Sequence, residues 1–129
     1  MELAPVAPLG THSAVGTVDQ HKVVSTVRGT EVAADPTNAL ALEAAVCRRS
    51  VLAADSRSTE LVRLGGLQRV VRAQGFSGPR QFAHFALFGL VTAGRDAGGR
   101  RFEAASLTEH CQFHIDCIRA PAPTMSRSA

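Results

Sequence analysis

The run from Pro36 to Ala54 constrains the fold most, because it has both the start signal and the composition of a long helix. Asp35 can cap the first turn, and Pro36 stands at the first helical position, where a missing N–H is tolerated. The residues of its apolar stripe are Leu40, Ala44, Cys47 and Val51. The sequence therefore predicts a helix over this range, with Cys47 as a packed core residue rather than a reactive thiol.

Two further helices are predicted between residues 58 and 93. Ser58-Thr59-Glu60-Leu61 opens the first, which runs to Gly75 and is expected to kink at Gly65-Gly66. Pro79 opens the second, whose apolar residues lie on every side of a helical projection over residues 80–93, so it is expected to be the central buried helix. A strip of small residues that would admit a neighbouring helix consists of Ala86, Gly89 and Ala93.

The two ends of the chain lack helical periodicity. Residues 1–14 are predicted to be a flexible N-terminal arm, and residues 120–129 a flexible tail. Valines and threonines between residues 15 and 32 favour a weak β-hairpin or an irregular segment, with turns at Asp19-Gln20 and Arg28-Gly29. His12 and His21 are expected to be solvated. The predicted fold is therefore mainly α, a single domain over residues 15–119 forming a small bundle of about four helices.

Composition narrows the class of protein. A chain of 129 residues with 45% hydrophobic and 19% charged residues is expected to be one globular domain. The net charge of +3 comes from arginine, since Lys22 is the only lysine, and this skew gives little reason to expect a nucleic-acid partner. No run approaches the ~20 apolar residues of a membrane span, and the start lacks a signal-peptide pattern, so the predicted location is cytoplasmic. Three cysteines do not suggest a disulfide framework.

The candidate site lies on the last predicted helix, which Ser106 would cap with Glu109 at the third position. Its core-facing stripe is Leu107, Cys111, Ile115 and Ile118. On one flank of that stripe, His110, His114 and Cys117 follow each other at i, i+4 and i+7. Two imidazoles and a thiolate can bind one zinc ion, and His84 on the preceding helix is the candidate fourth ligand.

This pattern of His84 followed by His110-x3-His114-x2-Cys117 resembles the zinc site of zinc-binding anti-sigma factors. In those proteins an upstream His or Cys precedes a His-x3-Cys-x2-Cys helix by a similar interval. Here His114 stands where that motif has a cysteine, and the motif lies near the C-terminal end of this sequence. The resemblance implies a redox-sensitive zinc switch that sequesters a partner, with Cys117 as the oxidisable ligand.

Three functions remain open at this point. The first is a non-enzymatic binding or regulatory module with a zinc site, acting on a protein partner or a second copy. The second is an all-α haem protein, of the oxygenase or sensor type, in which His84, His110 or His114 is the axial ligand. Its pocket walls would be Phe82, Phe85, Phe88 and Phe113. The third is a metal-free helical interaction or dimerisation domain using the small-residue strip. An enzyme is not favoured, because no carboxylate is placed to orient a Cys-His pair.

Overall fold

The computed structural model describes residues 1–72, 78–79 and 82–121, and these form a mixed α/β structure. The strands are β1 (Glu2–Leu3), β2 (Val6–Pro8), β3 (Thr30–Val32), β4 (Val62–Val71) and β5 (His84–Ala93). The helices are α1 (Thr11–Val15), α2 (Pro36–Ala54) and α3 (Arg101–Arg119), with a short 3-10 helix at Gln20–Lys22. The predicted mainly α bundle of about four helices is therefore wrong.

The chain divides into two compact units, Met1–Arg95 and Asp96–Ala129. The first contains all five described strands together with α1 and α2, and the second contains α3. Strands β1 and β2 and most of α1 lie within residues 1–14, the range predicted to be a flexible arm. Of the predicted tail, residues 122–129 lie outside the described residues, as does the predicted helix stop at Gly75. None of the described helices is both long and apolar enough to cross a lipid bilayer.

The first unit holds two sheets. In the larger one, β4 lies between β1, which is parallel to it, and β5, which is antiparallel. The β4–β5 ladder runs from the Val62–Ala93 pair to the Val71–His84 pair without a bulge. In the smaller sheet, β2 pairs antiparallel with β3. Helix α2 packs on one face of the larger sheet, and Leu40 and Ala44 are buried there.

The two segments predicted as the second and third helices are strands β4 and β5. Both faces of β5 carry apolar residues, so a helical projection places them all around the axis. Read at a period of two, Phe85, Leu87 and Gly89 belong to the face against α2, and Ala86 and Phe88 to the opposite face. The prediction failed because a short run that is apolar on both faces has no periodicity that separates helix from strand.

Helix α2 packs against a cross-strand pair of glycines, Gly66 on β4 and Gly89 on β5. A Cβ atom on Gly89 would lie 3.0 Å from Cγ of Pro36, and one on Gly66 would lie 3.3 Å from Cδ2 of Leu40. The first turns of α2 therefore approach the strand backbones so closely that only glycine fits without displacement. The predicted small-residue strip is split by the strand, because Gly89 faces α2 while Ala86 is exposed on the other face.

The helix predicted from Pro36 to about Ala54 is confirmed, since α2 spans Pro36–Ala54. The carboxylate of Asp35 accepts hydrogen bonds from Thr37 N at 2.9 Å and from Thr37 Oγ1 at 2.6 Å. The predicted turn at Arg28-Gly29 is also confirmed, since both residues have positive φ, 63° and 69°, and Thr26 N donates to Thr30 O across it. This turn closes a small hairpin in which Ser25 bridges Glu31.

The last helix was predicted correctly in type but not in its start. Helix α3 begins at Arg101, and Ser106 is an interior residue, so the predicted capping box at Ser106 and Glu109 is wrong. The residue before the helix, Arg100, has φ 57° and provides no side-chain cap. The turn Gly98-Gly99, with φ 76° and 61°, starts α3 instead.

Replacing Gly89 with valine tests the close packing of α2 against β5. Valine has a higher strand propensity than glycine, yet its side chain would collide with Pro36 and Thr37. We expect Gly89→Val to lower the free energy of unfolding by about 1–3 kcal/mol. Urea unfolding followed by far-UV circular dichroism measures this, because the chain has no Trp or Tyr. The control is Ala86→Val on the exposed face of the same strand; an equal loss in both variants would contradict the close approach.

Candidate functional site

The most polar buried site in the described residues is built around the carboxylate of Glu31, whose exposed fraction is 0%. Glu31 lies on strand β3, and its neighbours on that strand pair with β2. A buried carboxylate is tolerated only when its oxygens are hydrogen bonded. Glu31 meets this requirement through the segment from Gly10 to Gln20, which wraps around it.

Each oxygen of the Glu31 carboxylate accepts two hydrogen bonds. Oε1 accepts from the backbone N–H of His12 at 2.8 Å and from the imidazole Nδ1 of the same residue at 2.5 Å. Oε2 accepts from Gly10 N and from Gln20 Nε2, both at 2.9 Å. The amide of Gln20 is itself oriented by Ser13, whose hydroxyl donates to Gln20 Oε1 at 2.6 Å. The carboxylate thus joins β3, α1 and the 3-10 helix into one network.

Four donors favour the ionised form of Glu31. Burial by itself raises the pKa of this carboxyl, but the donors, led by the Gln20 amide, outweigh burial and lower the pKa from 4.5 to about 2. The group is therefore a buried negative charge at neutral pH. It is balanced by hydrogen-bond donors rather than by a full positive charge.

His12 is neutral in this network, and its ring proton can be placed. The backbone N–H of Ala34 donates to His12 Nε2 at 3.0 Å. Because a backbone N–H can only donate, Nε2 must carry the lone pair, and the proton lies on Nδ1, where it is donated to Glu31. The prediction that His12 is solvated is wrong, since its exposed fraction is 2%.

An imidazole paired with a carboxylate resembles the orienting half of a catalytic triad, but here the geometry serves a different purpose. A general base needs its second ring nitrogen directed at a substrate proton. In His12 that nitrogen is held by Ala34, which belongs to the turn between β3 and α2. The pair therefore positions backbone segments and does not present a base to solvent.

The four predicted metal ligands lie on different kinds of element. His110, His114 and Cys117 are on α3, with His114 and Cys117 exposed, while His84 is the first residue of β5 rather than part of a helix beside α3. The rings of Phe113 and His114 meet edge to face at 5.8 Å. Within the described ranges, no three His, Cys, Asp or Glu side chains are grouped so that they could hold a metal ion. The zinc set, like the haem alternative, stays a prediction from sequence.

The three cysteines are free thiols. Cys47 is half-buried on α2, with Sγ 3.7 Å from Oε1 of Glu43. Burial raises the pKa of the Cys47 thiol, and the nearby Glu43 carboxylate raises it further. A raised pKa leaves less thiolate and so a weaker nucleophile. Cys47 was predicted to be a core residue, but it is only half-buried and is not one of the buried core residues.

The second notable feature of the first unit is the edge of its larger sheet. Among the strands that the structure describes, in the order β1-β4-β5, strand β5 occupies the outside position and is ten residues long. It contains no Lys, Arg, Asp, Glu or Pro. On the sheet face away from α2, Leu67 and its register partner Phe88 have exposed fractions of 43% and 42%.

Comparison with known proteins brought no match, whether with protein-family models, with curated proteins or with solved structures. Function therefore has to be inferred from the residues of this chain. The site around Glu31 was missed in the sequence because no local spacing links it to His12, nineteen positions earlier. The one usable signal was a lone carboxylate in the apolar run Thr30-Glu31-Val32-Ala33-Ala34, which is costly to bury without donors.

Acid titration tests the Glu31 network. The folded pKa of about 2 lies below the unfolded value of 4.5, so the stabilisation is complete above pH 4.5 and is lost as the pH falls towards 2. We expect the free energy of unfolding to fall through this window, by up to about 1.4 kcal/mol per pH unit from this one group. Measuring unfolding at several pH values in wild type and Glu31→Gln checks it.

In Glu31→Gln, an amide NH2 group replaces one carboxylate oxygen. This group is itself a donor, so it cannot accept the two hydrogen bonds that the oxygen accepts in wild type. We expect a loss of roughly 2–4 kcal/mol at pH 7 and a weaker dependence on pH below 4.5. The matched control is Glu60→Gln, because Glu60 is exposed. If the free energy of unfolding of Glu31→Gln fell with decreasing pH as steeply as that of Glu60→Gln, the acid sensitivity would not come from Glu31.

Proposed function

We propose that this protein is a non-enzymatic interaction module that forms a homodimer by pairing the edge strand β5 of two copies. The observation that carries the proposal is the ten-residue edge strand with no charged residue and no proline. Soluble proteins usually protect such an edge with lysine, proline, a bulge or a covering segment. An edge with none of these sequence devices is suited to pair with another strand.

The alternation of the ladder identifies which backbone groups of β5 face the edge. The N–H of Arg72 donates to the carbonyl of Ala83 at 2.8 Å, one step beyond the last pair of the β4–β5 ladder. Bonded and non-bonded pairs alternate along an antiparallel ladder, so odd-numbered residues of β5 bond to β4. Ala86 and Leu90 therefore direct their N–H and C=O groups towards the edge.

A second copy is the partner that this edge fits best. Two β5 strands related by a two-fold axis would run antiparallel and continue the sheet in the order β1-β4-β5-β5-β4-β1. Directly opposed like charges destabilise a strand pair, and β5 contains no Lys, Arg, Asp or Glu to produce them. The exposed pair Leu67 and Phe88 lies on the face away from α2, next to the proposed junction.

A role in binding rather than in catalysis is supported by the Glu31 site. Its histidine has both ring nitrogens engaged, with Nδ1 on Glu31 and Nε2 on Ala34. The one half-buried cysteine, Cys47, has a raised pKa and lies beside an acid. These side chains contribute to the stability of the fold. We therefore propose association, rather than catalysis, as the activity.

Sedimentation equilibrium or light scattering of the full chain tests the proposal. We expect a dimer for wild type at micromolar concentration and a monomer for Ala86→Pro. Proline at residue 86 removes an N–H that faces the edge and leaves the hydrogen bonds to β4 in place. Ala86→Val keeps the N–H and should remain dimeric.

Circular dichroism spectra of the variants must match that of wild type, so that loss of the dimer is not loss of the fold. Leu90→Pro provides a second edge-facing substitution for the case in which Ala86→Pro fails to fold. A monomeric wild type, or a folded Ala86→Pro that stays dimeric, would overturn the proposal.

A further inference from the structure

A cavity of about 300 Å³ opens in the first unit, between the segment around the 3-10 helix, strand β3, the start of α2 and the end of β4. Its walls are largely apolar. Five of the eleven lining residues are valines: Val18, Val23, Val24, Val32 and Val71. The volume is at the small end of ligand pockets, and at about 30 Å³ per small group it holds roughly ten heavy atoms.

Two cations line the same cavity, Lys22 and Arg72. In the part of the chain that the structure describes, neither forms an ion pair with an acidic side chain. The guanidinium of Arg72 lies 5.4 Å from the centre of the Phe85 ring, a contact that leaves its in-plane N–H donors for an acceptor. The one acid in the lining, Asp35, has its Oδ1 engaged by Thr37 N and Oγ1.

The wall that carries Lys22 is held in place by the Glu31 network. Lys22 ends the 3-10 helix that begins at Gln20, and the Gln20 amide donates to Glu31. The imidazole of His12, fixed at both nitrogens, forms another part of the lining. Thr17, just before this segment, has φ 53°, a strained value for a β-branched residue. The Glu31 network therefore fixes the backbone of this wall, while the side chains of Lys22 and Arg72 are exposed.

We propose that this cavity binds a small organic carboxylate whose apolar body packs against the valines and whose carboxylate is held by Lys22 and Arg72. The valines favour a ligand with an apolar body, and the two exposed cations add an attraction for a carboxylate that neither a neutral hydrocarbon nor water supplies. An amphipathic anion of about ten heavy atoms satisfies both parts of the lining. This site lies on the first unit and is independent of the proposed dimer edge.

Octanoate is a suitable probe, and 1-octanol is its neutral counterpart of equal chain length. Titration of the 15N-labelled full chain with octanoate, followed by NMR, should give saturable shifts concentrated in residues 18–24 and 32–38. We expect 1-octanol to bind at least tenfold more weakly. We also expect Lys22→Gln and Arg72→Gln each to raise the Kd for octanoate about threefold, which is the loss of one solvent-exposed ionic contact.

The matched control is Arg69→Gln, because Arg69 is an exposed cation on the same strand that does not line the cavity. Its Kd should equal that of wild type, and backbone spectra of all three variants should show the native fold. Absence of saturable shifts at the cavity, equal affinity for octanol, or equal weakening in Arg69→Gln would overturn the proposal. The titration can be repeated on Ala86→Pro, where failure of the dimer would leave octanoate binding unchanged.

Discussion

The fold of the first unit depends on the close approach of α2 to the β4–β5 sheet at Gly66 and Gly89. These two residues are register partners, and a Cβ atom on either would lie only 3.0–3.3 Å from helix side chains, so the helix would have to shift. The approach allows Leu40 to be completely buried, in a unit where few large side chains are. Because the described core is small, the precision of this one contact matters more than its area.

The carboxylate of Glu31 plays the corresponding role for the N-terminal segments. Residues 10–24 contain only a short helix and a single 3-10 turn, and neither would be stable alone. Their backbone and side-chain donors converge on one buried anion, which replaces the missing apolar core there. The same network holds the wall of the valine-lined cavity that carries Lys22, so the stability of this region and the shape of the proposed ligand site have one physical origin.

The two proposed binding surfaces use different properties of the first unit. The edge of β5 offers backbone hydrogen-bonding groups in a strand without charge, so a partner is recognised through main-chain pairing. The cavity offers two cations above apolar walls, so a ligand is recognised through its charge and size. A binding module can use both, because the edge-facing residues of β5 are not part of the cavity lining.

The sequence by itself determined the features that depend on interactions between residues close together in the chain. The limits of α2 follow from Asp35, Pro36 and the alanine-rich run, and the tight turn at Arg28-Gly29 follows from Gly29, which accepts positive φ. The helical state of residues 107–119 was predicted, but the N-cap was placed at Ser106, six residues after the observed N-cap Arg100, because the capping box of Ser106 is not used.

Tertiary structure alone decided that residues 62–71 and 84–93 are strands and that Glu31 is buried. A run that is apolar on both faces is compatible with a buried helix or a strand, and only the partner strand and the helix above it select between them. The pairing of His12 with Glu31 depends on β2 aligning with β3, a contact between distant parts of the chain. No residue spacing encodes it, because its geometry exists only once both segments are folded.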